Sequence, residues 1–232
     1  MRFSIRSATR LSFALAAVTL LAPFTHAAST VDGSKRWDAR VDRYLNVRDK
    51  ANPPATGGIV FTGSSSIDMW TTLAADFPEN KVVNRGIGGT WLADQLHIAP
   101  KLVYPLNPKT IVIYAGENDL KAGRSVEDVV TAFKNVREQI RREEPQAHIV
   151  FLACKPSPSR LALLPAMRDA NDQIAALCAN DPQSTFVDVF TPMLNDKGEP
   201  RPELFIKDNL HMNAEGYRLW KSIVAPVLKK LE

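Results

Sequence analysis

Five short apolar runs, set far apart, constrain this chain more than any other feature. They are "GIVFTG" (58–63), "KVVNRG" (81–86), "TIVIYAG" (110–116), "HIVFLAC" (148–154) and "TFVDVF" (185–190). Ile, Val and Phe dominate them without in-and-out alternation, which fits strands buried on both faces. Between the runs, apolar residues recur at helical spacing. In "SVEDVVTAFKNVREQIRREEP", Val126, Val129, Val130, Phe133, Val136 and Ile140 line one face. Ser125 can cap that helix with Asp128 three residues on, and Pro145 lies beyond its end. Residues 163–180 and 213–231 show the same period. Such alternation predicts an α/β protein: a parallel sheet with helices on both faces, joined by right-handed crossovers. Ahead of the first run, "KRWDARVDRYLNVRDK" (35–50) predicts an amphipathic helix with Trp37, Val41, Tyr44 and Leu45 on one side, broken by "NPPATGG".

In a sheet of this kind ligands bind beyond the carboxyl ends of the strands. The segments found there are "GSSS" after the first strand, "NRGIGGT" after the second, "GEND" after the third and, past a loop after the fifth, "KDNLHMN". Each alone has a plain structural use. A serine run is commonly a loop or a helix cap. Gly86, Gly88 and Gly89 could be turn glycines, and "GIGGTWLAD" lacks the third glycine of a dinucleotide fingerprint. Asn118 could cap a helix, and Asn213 could cap another with His211 left in solvent. Together they offer more. A serine hydroxyl becomes a nucleophile only beside a base. Among His97, His148 and His211, the last has an aspartate, Asp208, three residues before it, close enough in a turn to hold the imidazole tautomer. The amides of Ser65 and Gly89 and the side chain of Asn118 could hold a developing oxyanion.

These four blocks resemble the SGNH/GDSL hydrolase superfamily, in the branch of platelet-activating-factor acetylhydrolases and bacterial acyl esterases. The resemblance spans about residues 58–232. It implies a flavodoxin-like three-layer α/β/α sandwich with a five-stranded parallel sheet in the order 2-1-3-4-5. It implies a serine esterase with Ser65 as nucleophile, Asp208 and His211 completing a triad, Gly89 and Asn118 in the oxyanion hole, and no cofactor or metal. Three departures stand out. The family's usual aspartate before the nucleophile is Ser64 here, so Ser64 is the alternative nucleophile, and the usual leucine after it is Ser66. Glu117 replaces a commoner threonine, and could act on substrate choice or face solvent. Lys155 and Arg160 in "KPSPSR" reach the site edge in this architecture, as substrate contacts or as plain loop.

The expected substrate is a small-molecule or carbohydrate ester with a short acyl or O-acetyl group, because no long apolar lid segment is present. A thioesterase or lysophospholipase would use the same triad. A non-catalytic binding domain on an esterase scaffold is the remaining class, and the complete residue set argues against it.

The first 27 residues read as a signal peptide. Arg2, Arg6 and Arg10 precede the apolar "LSFALAAVTLLAPF", and "THAAST" offers cleavage after Ala27. The expectation is an exported protein, periplasmic or extracellular, with one hydrolase domain over 28–232, of which 28–56 is an N-terminal helix and lead-in. Removing the leader deletes three arginines and no acids, so the net charge falls from +4 to 26 − 25 = +1. Such a balance gives no electrostatic case for nucleic acid or an anionic membrane as partner. It says nothing of oligomeric state. Cys154 and Cys178 could form a disulfide in an oxidising compartment or remain buried thiols. With the histidines they show no metal-ligand spacing.

Overall fold

A computed structural model describes Met1 and residues 35–231. All secondary structure among the described residues lies in the compact unit Asp32–Glu232. The signal-peptide expectation for residues 1–27 falls outside the described residues, Met1 apart.

Five strands form one parallel sheet in the order β2-β1-β3-β4-β5. They are β1 (Ile59–Gly63), β2 (Val82–Gly86), β3 (Thr110–Tyr114), β4 (His148–Leu152) and β5 (Ser184–Val187). Ile59 pairs with Val82 on one side and Thr110 on the other, and β3, β4 and β5 continue the register outward. Every residue of β1 and β3 is buried, as the unbroken apolar runs predict. β5 ends earlier than its sequence run. Asp188 Oδ1 accepts the amides of Phe190 and Thr191, both at 2.9 Å, and turns the chain out of the sheet.

The helices follow the expected alternation. The lead-in holds α1 (Asp38–Arg43) and α2 (Asp49–Ala51) around a π-helical stretch at Tyr44–Arg48. Then come α3 (Ser65–Asp68), α4 (Leu73–Asp76), α5 (Gln95–Leu102), α6 (Glu117–Lys121), α7 (Val126–Glu143), α8 (Leu164–Ala179) and α9 (Ala214–Lys230). Together with the sheet they make a three-layer α/β/α sandwich. The α7 start carries the anticipated capping box: Ser125 Oγ accepts the Asp128 amide at 3.1 Å, and Asp128 Oδ2 accepts the Ser125 amide at 3.0 Å. α7 packs on α8 and α5. α9 brings Trp220 against Trp70 and Tyr114, in a cluster that also takes in Phe61 and Phe77.

The lead-in helix departs from its expected face in one place. Trp37, Val41 and Tyr44 pack with Ile87, Ile98 and Leu102, but Leu45 is exposed. The π-helical stretch starting at Tyr44 shifts the angular phase that a 3.6-residue period assumes. Two polar ties fix this segment to the end of β2. Tyr44 Oη donates to the Gly86 carbonyl at 2.6 Å. Arg85 forks onto both oxygens of Asp49, at 2.9 and 2.7 Å. Cys154 and Cys178 are both buried, free thiols. Burial pushes the Cys178 thiol up to about 11 and the Cys154 thiol higher still.

Candidate active site

β1 ends on Gly63, whose φ of +126° is open to glycine and strained for other residues. A Cβ there would collide with the backbone of Tyr114 on the adjacent strand. The turn is then pinned from two sides. The Ser64 amide donates to the Tyr114 carbonyl at 2.9 Å, and Tyr217 Oη of α9 donates to the Ser66 carbonyl at 3.1 Å. Ser65 therefore opens a single-turn helix at the carboxyl edge of the sheet.

His211 reaches the same place from the loop before α9. Asn213 caps that helix by accepting the Glu215 and Gly216 amides at 2.8 and 3.1 Å. Its Nδ2 donates to the Glu203 and Phe205 carbonyls and ties the loop down. A cap at Asn213 and a placed His211 are thus compatible. His211 Nε2 lies 3.1 Å from Ser65 Oγ, and His211 Nδ1 lies 2.6 Å from Asp208 Oδ2. Asp208 Oδ1 accepts the amides of Leu210 and His211, each at 2.9 Å. Partial desolvation would raise the Asp208 carboxyl. The hydrogen bonds from the His211 ring and from these two amides outweigh it and hold the group at about 2. An ionised carboxylate only accepts, so Nδ1 carries a proton, and in the neutral ring Nε2 then presents its lone pair to the Ser65 hydroxyl. Ser64 has no such neighbour; its hydroxyl is buried and without a hydrogen-bond partner.

The glycine loop passes directly beside this serine. A Cβ on Gly88 would sit 3.6 Å from Ser65 Cβ, and the Gly88 amide is occupied by Asp68 Oδ2 at 3.0 Å. Gly89 takes φ +84°. Among the described residues, the amides of Ser65 and Gly89 donate no hydrogen bond, so both remain available to an incoming anion. Trp37 stands at the same edge. Its Cη2 lies 3.6 Å from where a Gly89 Cβ would be, so the lead-in helix walls this side. Sequence periodicity assigned Trp37 only to a helix face. No local signal connects it to Gly89, 52 positions away by numbering.

Asn118 is placed within α6, whose N-cap is Gly116, so it is not a helix cap. Its Nδ2 donates to the Thr90 carbonyl at 3.2 Å, which ties it to the glycine loop. Its Oδ1 accepts from Arg160 Nη2 at 2.8 Å. The three neighbours of Asn118 whose roles the sequence left open are all internal. Glu117 is 1% exposed and Lys155 fully buried, with Lys155 Nζ 2.9 and 3.2 Å from the two carboxylate oxygens. Tyr114 Oη donates to Glu117 Oε2 at 2.6 Å. Burial would raise the Glu117 carboxyl, but the charges of Lys155 and Arg160 and these hydrogen bonds bring it below its ordinary value. Glu117 thus neither faces solvent nor meets substrate, because its partners are inside the protein. The signal for it was an acid in the polar "GEND" block, which the sequence could not pair with a lysine 38 positions on.

A proton acceptor within hydrogen-bond reach of a hydroxyl, with the glycine loop beside it and a side-chain amide tied to that loop, fits what acyl transfer requires. No group of three or more His, Cys, Asp or Glu residues able to hold a metal occurs among the described residues.

The family model for the GDSL-like lipase/acylhydrolase family matches residues 55–219. The human platelet-activating factor acetylhydrolase IB subunit alpha1 is 25% identical over 199 residues, covering 81% of this chain and 80% of the relative. Two solved structures share the fold: a GDSL-like lipase from Bacteroides thetaiotaomicron (TM-score 0.70, 21% identity, 84% of this chain and 99% of that one) and an acetyl xylan esterase from Geobacillus stearothermophilus (TM-score 0.60, 16% identity, 75% and 96%).

Proposed function

We propose that this chain, which belongs to the GDSL-like lipase/acylhydrolase family and is a hydrolase acting on ester bonds, works through an acyl-enzyme on Ser65 and removes short acyl or O-acetyl groups. The observation that carries the reading is the line from Asp208 through His211 to Ser65, with gaps of 2.6 and 3.1 Å.

The steps follow from that line. His211 Nε2 takes the Ser65 hydroxyl proton as Oγ bonds to the ester carbonyl carbon. The carbonyl electron pair moves onto oxygen, where the Ser65 and Gly89 amides and Asn118 Nδ2 receive the charge. Collapse expels the alcohol oxygen, which takes the proton from His211, and leaves an ester on Ser65. A water molecule then repeats the sequence: His211 takes its proton, the hydroxide adds to the acyl carbon, and Oγ departs with that proton. The products are an alcohol and a carboxylic acid. Asp208 keeps the tautomer and stabilises the imidazolium throughout.

Three features favour a short acyl group. Trp37 stands against Gly89 and narrows that side. Exposed large apolar side chains are scattered over the described residues, Leu45 and Val47 on the lead-in and Met69, Leu161 and Ile206 singly on other segments. The name of the human relative, an acetylhydrolase, fits the same substrate class. A chain-length series of p-nitrophenyl esters and a panel of acetylated sugars test the assignment. Highest kcat/KM on acetyl esters is expected. A maximum at long acyl chains or on thioesters would favour the lysophospholipase or thioesterase reading instead.

We also propose export, on the strength of the charged, apolar and small-residue order of residues 1–27. Intact-mass measurement of protein recovered outside the cytoplasm should give a chain beginning near Ala28. A chain retaining residues 1–27 there contradicts it.

A further inference from the structure

Arg160 has no role in the triad, yet its guanidinium is spent on the segment that carries Asn118. Nη1 donates to the Glu117 carbonyl at 2.7 Å and Nη2 to Asn118 Oδ1 at 2.8 Å. Its side chain is 9% exposed, so it is not reaching into solvent. The loop bends to place it: Arg160 takes φ −124°, ψ 28°, interrupting the 3-10 stretch Pro158–Leu163. The base of that loop is fixed by Asn171 of α8, which accepts the Cys154 amide at 2.8 Å and donates to the Cys154 carbonyl at 3.1 Å. Lys155 follows at once and plugs into Glu117.

This arrangement determines which way the Asn118 amide faces. Arginine only donates, so the Asn118 atom against Nη2 must be the oxygen. The nitrogen is then directed away, where Thr90 takes one hydrogen at 3.2 Å. An amide nitrogen carries two hydrogens, so one is left. A cation on the carbonyl side also polarises the amide and makes its N–H a stronger donor. The buried charges here are Lys155 and Arg160 against Glu117, with Asp119 two residues from Glu117, and Arg160 is the cation in contact with Asn118 Oδ1.

We propose that Arg160 is a positioning residue for the oxyanion hole: it sets the orientation of the Asn118 amide and strengthens its donor, with the buried Glu117–Lys155 pair as the anchor that holds both. This rests on the acyl-enzyme reading above. It explains the Glu117 departure as half of an internal ion pair. It also predicts that lysine cannot replace Arg160, because a point charge does not fork onto the Glu117 carbonyl and Asn118 Oδ1 together.

A double-mutant cycle on p-nitrophenyl acetate tests it, with Asn118→Ala, Arg160→Gln and the two combined, and with Arg160→Lys and Ser65→Ala alongside. Arg160→Gln should lower kcat at least about tenfold, up to the roughly 10²–10³-fold cost of losing one donor, with KM within about twofold. In the Asn118→Ala background the same change should cost less than about twofold, because the residue it acts through is gone. Should Arg160→Gln fail to fold, Arg160→Lys carries the test, with kcat lowered at least about fivefold and the thermal midpoint retained. Wild-type kcat in whichever variant is folded overturns the proposal. So does a raised KM with kcat kept, which would make Arg160 a substrate contact, and so does an additive loss in the Asn118→Ala background. Ser65→Ala separates the two levels: if it is inactive and Arg160 variants are normal, only the positioning role falls, whereas an active Ser65→Ala removes both.

Discussion

His211 Nε2 stands 3.1 Å from Ser65 Oγ across 146 positions of sequence. The two are joined by no local element. Ser65 is delivered by the end of β1 and His211 by the loop before α9, and Tyr217 of that helix holds the Ser66 carbonyl at 3.1 Å. The site therefore depends on α9 docking, and its geometry is a product of packing between segments from opposite ends of the described chain.

The first prediction separates the two candidate nucleophiles. Ser65→Ala should lower kcat by several orders of magnitude, because residues of a triad act as a unit. Ser64→Ala removes a buried hydroxyl that has no hydrogen-bond partner, and kcat should stay within about threefold of wild type. Steady-state assays of both, with thermal melts, check this. The reverse pattern would move the nucleophile to Ser64.

Asn118→Ala should reduce kcat roughly 10²–10³-fold and leave KM nearly unchanged, since an oxyanion donor acts in the transition state rather than on the bound ester. The thermal midpoint should fall by several degrees, because Asn118→Ala removes the hydrogen bonds with Thr90 and Arg160. A destabilised but fully active variant would leave the oxyanion to the Ser65 and Gly89 amides alone.

A pH-dependent stability is expected next to the site. Burial raises the Asp119 carboxyl to about 6, against the partial opposition of the Leu92 amide, which donates to both oxygens at 3.1 Å. Its ordinary value is 3.8. Between those values the folded protein holds a proton that the unfolded chain has lost. The contribution of Asp119 is then most favourable below 3.8 and is lost as pH rises through 6. Asp119→Asn cannot titrate. The stability of wild type minus that of Asp119→Asn should therefore fall by about 2 kcal/mol between pH 4 and pH 7. Denaturant unfolding at both pH values measures it, and a difference that does not change with pH refutes the assignment.

The strands and long helices were legible because burial on both faces and a 3.6-residue period leave direct marks, as in "TIVIYAG" and in Val129, Phe133, Val136 and Ile140. The edges were not. Asp188 ends β5 through its own side chain, and the π-helical stretch at Tyr44 turns Leu45 outward, and neither effect has a period. Ser65, Gly89, Asn118, Asp208 and His211 are assigned through the resemblance of their four blocks to the SGNH/GDSL hydrolases, supported by their places just past a strand or beside a helix start. The residues that surround them could not. Trp37 meets Gly89, Glu117 meets Lys155, and Arg160 meets Asn118 through contacts between segments far apart in sequence. A lone Glu or Arg in a loop carries the same signature whether it faces water or a buried partner.

Site mapping of a covalent inhibitor tests the central claim most directly. A small serine-directed phosphonate should stop ester hydrolysis and add one mass to the intact protein, and peptide mapping should place it on Ser65 within residues 51–81. The adduct should be absent from Ser65→Ala and slowed by several orders of magnitude in His211→Ala. Full inhibition with the adduct on Ser64, on Ser66 or outside this peptide would contradict the account.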